Sequence, residues 1–213
     1  MPLTPADLVA IVAADLGLPV TTVRNYDRKL MEAGLRTKKG HGRGSALMGP
    51  KDAAVLLAAI ASSDEIAQAP ECVRRLYSLP CQAFLSSRFP DITERATAEL
   101  SFLRGIIGTD EKALSTFGKA LVAVVQYSGS APLTRRASGP VEPEYTFGFE
   151  VHIAGGLPHF AELIIWGRGQ TKPTRLVAFE RLEVIPGNLR VTRRIANIQE
   201  IAEAVSGRDY GRP

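Results

Sequence analysis

Residues 4–34 read TPADLVAIVAADLGLPVTTVRNYDRKLMEAG. Thr4 is a side-chain cap, Pro5 takes the first helical position, where its missing N–H costs nothing, and Asp7 puts an acid in the first turn. Leu8, Ile11, Val12 and Leu16 then recur on one face, and Gly17-Leu18-Pro19 stops the helix and turns the chain. A second helix is expected from Val20 to Ala33, with Val20, Val23, Tyr26, Leu30 and Met31 facing inward and Gly34 as its stop. Its outward positions are Thr21, Thr22, Arg24, Asn25 and Arg28. Two short helices joined by a tight turn, the second polar and basic on its outside, make the helix-turn-helix pattern.

Beyond Leu35 comes Arg36-Thr37-Lys38-Lys39-Gly40-His41-Gly42-Arg43-Gly44-Ser45, too rich in glycine and charge to be buried. It reads as an exposed loop or short hairpin in the place of a wing. A third helix is expected from Pro50 to about Ser62, with Val55, Leu56, Leu57 and Ile60 closing a small N-terminal core. Residues 1–51 hold Arg24, Arg28, Lys29, Arg36, Lys38, Lys39, Arg43 and Lys51 against Asp7, Asp15, Asp27 and Glu32, so this segment carries the whole net charge of +4. Five of those bases follow the last acid, Glu32, and a basic field so concentrated suits a polyanion.

The 213 residues, 45% hydrophobic and 23% charged, allow one domain or two small ones. No apolar run approaches the ~20 residues that span a bilayer, and the start lacks the regions of a signal peptide, so a cytoplasmic protein with no membrane partner is expected. Cys72 and Cys81, the two cysteines, make neither a zinc site nor a disulfide scaffold, and are expected to be reduced and structural.

Pro70, Pro80 and Pro90 punctuate a helical middle. Its clearest helix is expected after Thr109, with Asp110 and Glu111 in the first turn and Leu114, Phe117, Leu121, Val124 and Val125 at helical spacing. Residues 128–144 are rich in Ser, Gly and Pro and read as a loop. The period then changes from 3.6 to 2 residues. Tyr145, Phe147, Phe149, Val151 and Ile153 alternate, and Gly155-Gly156-Leu157-Pro158 turns into the apolar run 160–166, which is a β-hairpin. Residues 176–185 add another strand or two before a turn at Pro186-Gly187-Asn188, and a short helix is expected from about 195 to 205. The fold class expected is α+β in three parts: a winged helix-turn-helix over 1–62, a helical linker or dimerisation region over 63–127, and an antiparallel sheet with a terminal helix over 128–213.

Leu18-Pro19-Val20-Thr21-Thr22-Val23-Arg24-Asn25-Tyr26-Asp27, followed by Gly34-Leu35, a basic glycine-containing stretch and a helix from Pro50, resembles the MerR-type winged-helix regulators over the first sixty or so residues. The pattern of that family is a turn, Thr-Ile-Arg-Tyr-Tyr-Glu, Gly-Leu, a wing and a short helix. The resemblance implies that Thr22, Arg24 and Tyr26 approach DNA and that Arg43, in a wing with His41, lies beside the backbone. Family members dimerise through a long antiparallel coiled coil, whereas prolines and glycines interrupt the helices that follow here.

The residue chemistry leads to double-stranded DNA without the family. Arg pairs with guanine O6 and N7, and Asn with adenine N6 and N7, so Arg24 and Asn25 are candidate base contacts. Thr21, Thr22, Arg28, Lys38, Lys39 and Arg43 are better placed for phosphates, which position a module without reading sequence.

Signals for chemistry are weaker. Gly40-His41-Gly42-Arg43-Gly44-Ser45 follows a helix instead of a strand, so it is no dinucleotide fingerprint, and Gly167-Arg168-Gly169-Gln170-Thr171-Lys172 lacks P-loop spacing. His152 and His159 flank the hairpin turn as candidate cross-strand neighbours, and Glu150 and Glu162 on the same hairpin would be needed to complete a ligand set. A solvated sheet face is the commoner outcome, so neither a metal nor another cofactor is expected. Tyr145, Phe147, Phe149, Phe160 and Trp166 form either a stacking platform for single strands or a buried face, and the buried face is the commoner outcome. No nucleophile elbow, zincin motif or reactive-cysteine signature occurs. The expectation is a sequence-specific duplex-binding regulator, bacterial or phage, acting as a homodimer and not as an enzyme, with the C-terminal part open to a protein partner or small-molecule effector. A phage small-terminase-like subunit that recognises packaging DNA in a ring, and a ligand- or protein-binding module without DNA affinity, are the alternatives.

Overall fold

The computed structural model describes residues 3–38, 46–81, 90–130, 145–154, 156–167, 175–180, 190–195 and 198–206. These form an α+β fold of seven α-helices and a four-stranded antiparallel sheet.

Helix α1 (Pro5–Asp15) begins as its sequence dictates. The Asp7 N–H donates to Thr4 Oγ1 at 3.3 Å and the Thr4 N–H donates to Asp7 Oδ2 at 3.0 Å, a reciprocal capping box. Its end and that of α2 (Val20–Glu32) are the same motif. Gly17 and Gly34 take positive φ, while Leu18 N–H bonds Ala13 O and Leu35 N–H bonds Leu30 O, the six-to-one bond of a Schellman stop. α1 buries Leu8, Val9, Val12 and Ala13, and α2 buries Val23, Tyr26 and Leu30. Val20, expected inward, is 43% exposed, because the first turn of α2 projects past the edge of the core.

Helix α3 (Pro50–Ser62) does more than close an N-terminal core. It is buried almost all round, from Ala53 to Ala59, and touches α2, α4 (Ala69–Tyr77), α6 (Phe117–Ser130) and α7 (Gln199–Val205) as well as strands β1 (Tyr145–Ala154) and β4 (Arg190–Ile195). Five alanines in its thirteen residues keep the surface low enough for neighbours to approach on every side. Pro70 and Pro90 stand at the starts of α4 and α5 (Pro90–Ile107). The helix expected after Thr109 is split: Glu111–Leu114 is a 3₁₀ turn capped by Asp110, and α6 starts at Phe117. The break has a tertiary cause, since Thr116 bridges Pro80, Cys81 N–H bonds Ser115 O, and Phe117 N–H bonds Leu79 O. α6 then runs on to Ser130, past the expected loop start at 128.

The sheet has the order β3-β2-β1-β4, with β2 spanning Leu157–Gly167 and β3 spanning Arg175–Glu180. Its inner face carries Phe147, Phe149 and Val151 of β1, Ala161, Leu163 and Ile165 of β2, and Val177 and Phe179 of β3, all buried. Phe117 of α6 meets Phe149 and Phe179 edge-on at 5.6 and 5.5 Å, and Tyr127 meets Phe147 at 5.8 Å. The buried-face reading therefore holds for Phe147 and Phe149, while Phe160 and Trp166 belong to the opposite face.

Residues 190–195, between the expected turn and the terminal helix, form strand β4, a strand not foreseen from sequence. Its inward position opposite Val151 is held by Arg193, which conceals the alternation. Arg193 donates to Ser63 O at 2.8 Å and Ile60 O at 3.3 Å and pairs with Asp64, so it neutralises the carbonyl end of α3. The Tyr26 hydroxyl donates to the same Ser63 carbonyl at 2.9 Å. One hydrophobic core runs from α1 through the sheet to α7.

Candidate nucleic-acid interface

Helix α2, packed against α1, presents two opposed stripes. Val23, Tyr26 and Leu30 point into the core, and Thr21, Arg24, Asn25 and Arg28 are exposed on the other side, with Thr22 half-buried beside them. This is the spacing by which one face of a helix at i, i+3, i+4 and i+7 stays clear of its own protein. No acid interrupts the stripe. Glu32, a turn beyond it, is engaged by Lys29 at 2.9 Å, and that lysine holds the Glu32 carboxyl below its ordinary pKa. Arg28 lies 3.9 Å from the same carboxylate. Among the described residues Arg24 has no ion-pair partner. No side chain caps the start of α2.

One sequence-derived candidate, and one base of the basic segment, leave the surface. Tyr26, which the family resemblance places near DNA, is 6% exposed with its hydroxyl spent on Ser63, so it is a core residue and drops out of the interface. Arg36, counted in the basic field, is buried in a two-point pair with Asp27: Nε donates to Oδ1 and Nη2 donates to Oδ2 at 2.7 Å. The Asp27 carboxylate raises the Arg36 guanidinium pKa above its ordinary value. The pair removes one base and one acid from the surface, so the positive excess of the segment is unchanged.

That pair and a second one set the path of the chain as it leaves α2. Arg36 Nη1 donates to Thr37 O at 2.6 Å, the Thr37 N–H donates to Asp52 Oδ1 at 2.8 Å, and the Gly49 N–H donates to Asp52 Oδ2 at 3.0 Å. Asp52 thus holds residue 37 and the start of α3 together, and Met48 N–H bonds Leu3 O at 2.9 Å. Exposed Lys38 follows directly on the clamped Thr37. Lys39, His41 and Arg43 of the expected wing lie outside the described residues. Sequence reasoning missed the Asp27–Arg36 pair; its only trace was an acid on the otherwise apolar face of α2.

Behind the C-terminal end of α2 a cleft of about 390 Å³ is walled by Leu35, Val55, Val73 and Tyr77 and bordered by Lys51 and Arg74. On the sheet, His152 and His159 are not cross-strand neighbours. His152 opposes Phe160, and an irregularity between His152 and Ile153 leaves His159 out of the register.

No known family model, no curated protein and no solved structure matches the chain. Among the described residues no helix is long and apolar enough to cross a membrane.

Proposed function

We propose that this protein binds double-stranded DNA through the exposed stripe of α2, as a sequence-specific regulator working as a two-fold dimer in the cytoplasm of a bacterium or phage-infected cell. The observation that supports this most is the stripe itself: Thr21, Arg24, Asn25 and Arg28, free of acids, on the second of two short helices joined by the turn at Gly17. Arg24 and Asn25 have the donor and acceptor patterns for guanine and adenine edges, and Arg28, Thr21 and Lys38 supply phosphate contacts. The clamp of Thr37 by Asp52 fixes the backbone just before Lys38, so a contact from Lys38 costs little ordering entropy. A dimer follows from how such helices read duplexes, two half-sites one helical turn apart.

Fluorescence anisotropy of labelled duplexes, titrated with the full-length protein at several salt concentrations, tests the proposal. Steeply salt-dependent binding is expected, and no binding at low salt overturns it. On the selected site, Arg24→Ala is expected to cost about 1–3 kcal/mol and to relax preference at one base pair. A uniform loss over all sequences would remove Arg24 from base recognition. Lys38→Ala is expected to weaken every duplex alike and to reduce the slope of log affinity against log salt by about 0.9. An unchanged slope takes Lys38 off the phosphates.

A further inference from the structure

The outer face of the sheet, turned away from the helical core, carries a constellation that the DNA reading does not use. Glu150 and Glu162 are direct cross-strand partners on β1 and β2, and His152 follows two residues along β1 on the same face. One ligand atom from each of the three lies within 4.8 Å of the others, and His152 Nε2 is 3.9 Å from Glu150 Oε2. Arg194 on β4, opposite Glu150, engages Oε1, which leaves Oε2 turned to the imidazole.

The histidine is prepared as a ligand. Its Nδ1 lies 3.2 Å from Thr192 Oγ1 on β4, and its ring meets Phe160 edge-on at 4.9 Å. With Nδ1 protonated and donating to the threonine, the lone pair is on Nε2, the atom that faces the carboxylates. Nε2 is shielded from solvent and has no hydrogen-bond partner, an arrangement that loses hydrogen-bond energy unless another species fills the position. A ring oriented through its second nitrogen is the usual support of a metal-bound histidine.

We propose that Glu150, His152 and Glu162 bind one divalent first-row transition-metal ion of the zinc, manganese or iron(II) class. One imidazole and two carboxylates match that class, whereas calcium and magnesium prefer all-oxygen sets. Metal–ligand bonds of about 2.0–2.2 Å in a tetrahedral set put ligand atoms about 3.4 Å apart, so side-chain rotation must close the cluster by up to about 1.4 Å at its widest. Three protein ligands, each half-buried, leave coordination positions for water or an exogenous anion. Thr192 and Arg194 act through His152 and Glu150 as positioning residues.

The experiment uses the full-length protein, stripped with chelator and desalted, then titrated with Co²⁺ by visible absorption and with Zn²⁺ by calorimetry. A single equivalent with a ligand-field spectrum is expected, together with a melting temperature that rises with free Zn²⁺. His152→Ala and the isosteric Glu162→Gln are each expected to weaken binding by about 100-fold or more, and Thr192→Val by about 10-fold, with far-UV circular dichroism unchanged. If His152→Ala does not fold, Glu162→Gln decides alone. No uptake at sub-millimolar metal overturns the site, and so does uptake that both variants retain. Neither readout involves DNA, so the site stands or falls apart from the DNA proposal.

Discussion

Asp27→Ala is expected to destabilise the folded protein by about 3–5 kcal/mol, because it leaves the Arg36 guanidinium in a site where only 7% of that side chain is exposed. The carboxylate it loses accepts from both Nε and Nη2, so two charge-assisted donors are left without their acceptor. Urea unfolding followed by circular dichroism measures the loss, and a change under about 1 kcal/mol would mean that Arg36 swings out to solvent at little cost. The double replacement Asp27→Leu with Arg36→Met should recover most of the stability, since removing both charges also removes both desolvation costs. On the proposed DNA-binding function, the affinity of Asp27→Ala at a temperature where it is still folded should fall on all duplexes alike, through the path of Lys38 and not through the bases.

Phe117→Ala is expected to cost about 3–5 kcal/mol. Phe117 is fully buried at the first turn of α6, where its ring fills the angle between Phe149 of β1 and Phe179 of β3. Truncation opens a cavity that two strands and a helix border, and β1, held by ladders to β2 and β4 on both sides, cannot move in to close it without straining those pairings. Because α1, α3, α6 and the sheet share one core, the loss should appear as one transition. Far-UV circular dichroism, dominated by the helices, and fluorescence of Trp166, the single tryptophan and a sheet residue, should shift together. If the sheet signal moves and the helical signal does not, the two parts unfold separately and the shared core is not cooperative.

Much of the fold is written locally. Thr4, Pro5 and Asp7 start α1 through contacts within four residues, and Gly17 and Gly34 end two helices because positive φ costs glycine nothing there. The alternation from Tyr145 to Ile153 specifies a strand because one face of it is buried. Helical periodicity in α2 separates Val23 and Leu30 from Arg24, Asn25 and Arg28, so most of the candidate interface is legible in the order of residues alone. Tyr26 is ambiguous at that level, since its position suits both the core and the family's DNA face, and the Ser63 carbonyl, thirty-seven residues away, decides between them.

What the residues determined unaided is the set of elements whose signals are short in range: capped helices, glycine stops, the hairpin, and an α+β order with the basic excess at the front. Tertiary structure decided the features that need partners far along the chain. Arg193 reads as a surface residue until the carbonyl end of α3 is placed against β4, and the helix after Asp110 breaks only because residues 79–81 reach Ser115, Thr116 and Phe117. The pairing of Glu150 with Glu162, and the place of His152 beside Thr192 instead of His159, depend on strand register, which a single irregular residue displaces. Local hydrogen bonds and periodicity are encoded within a turn or two of chain; buried charges, strand neighbours and ligand clusters arise from which distant segments the shared core brings together.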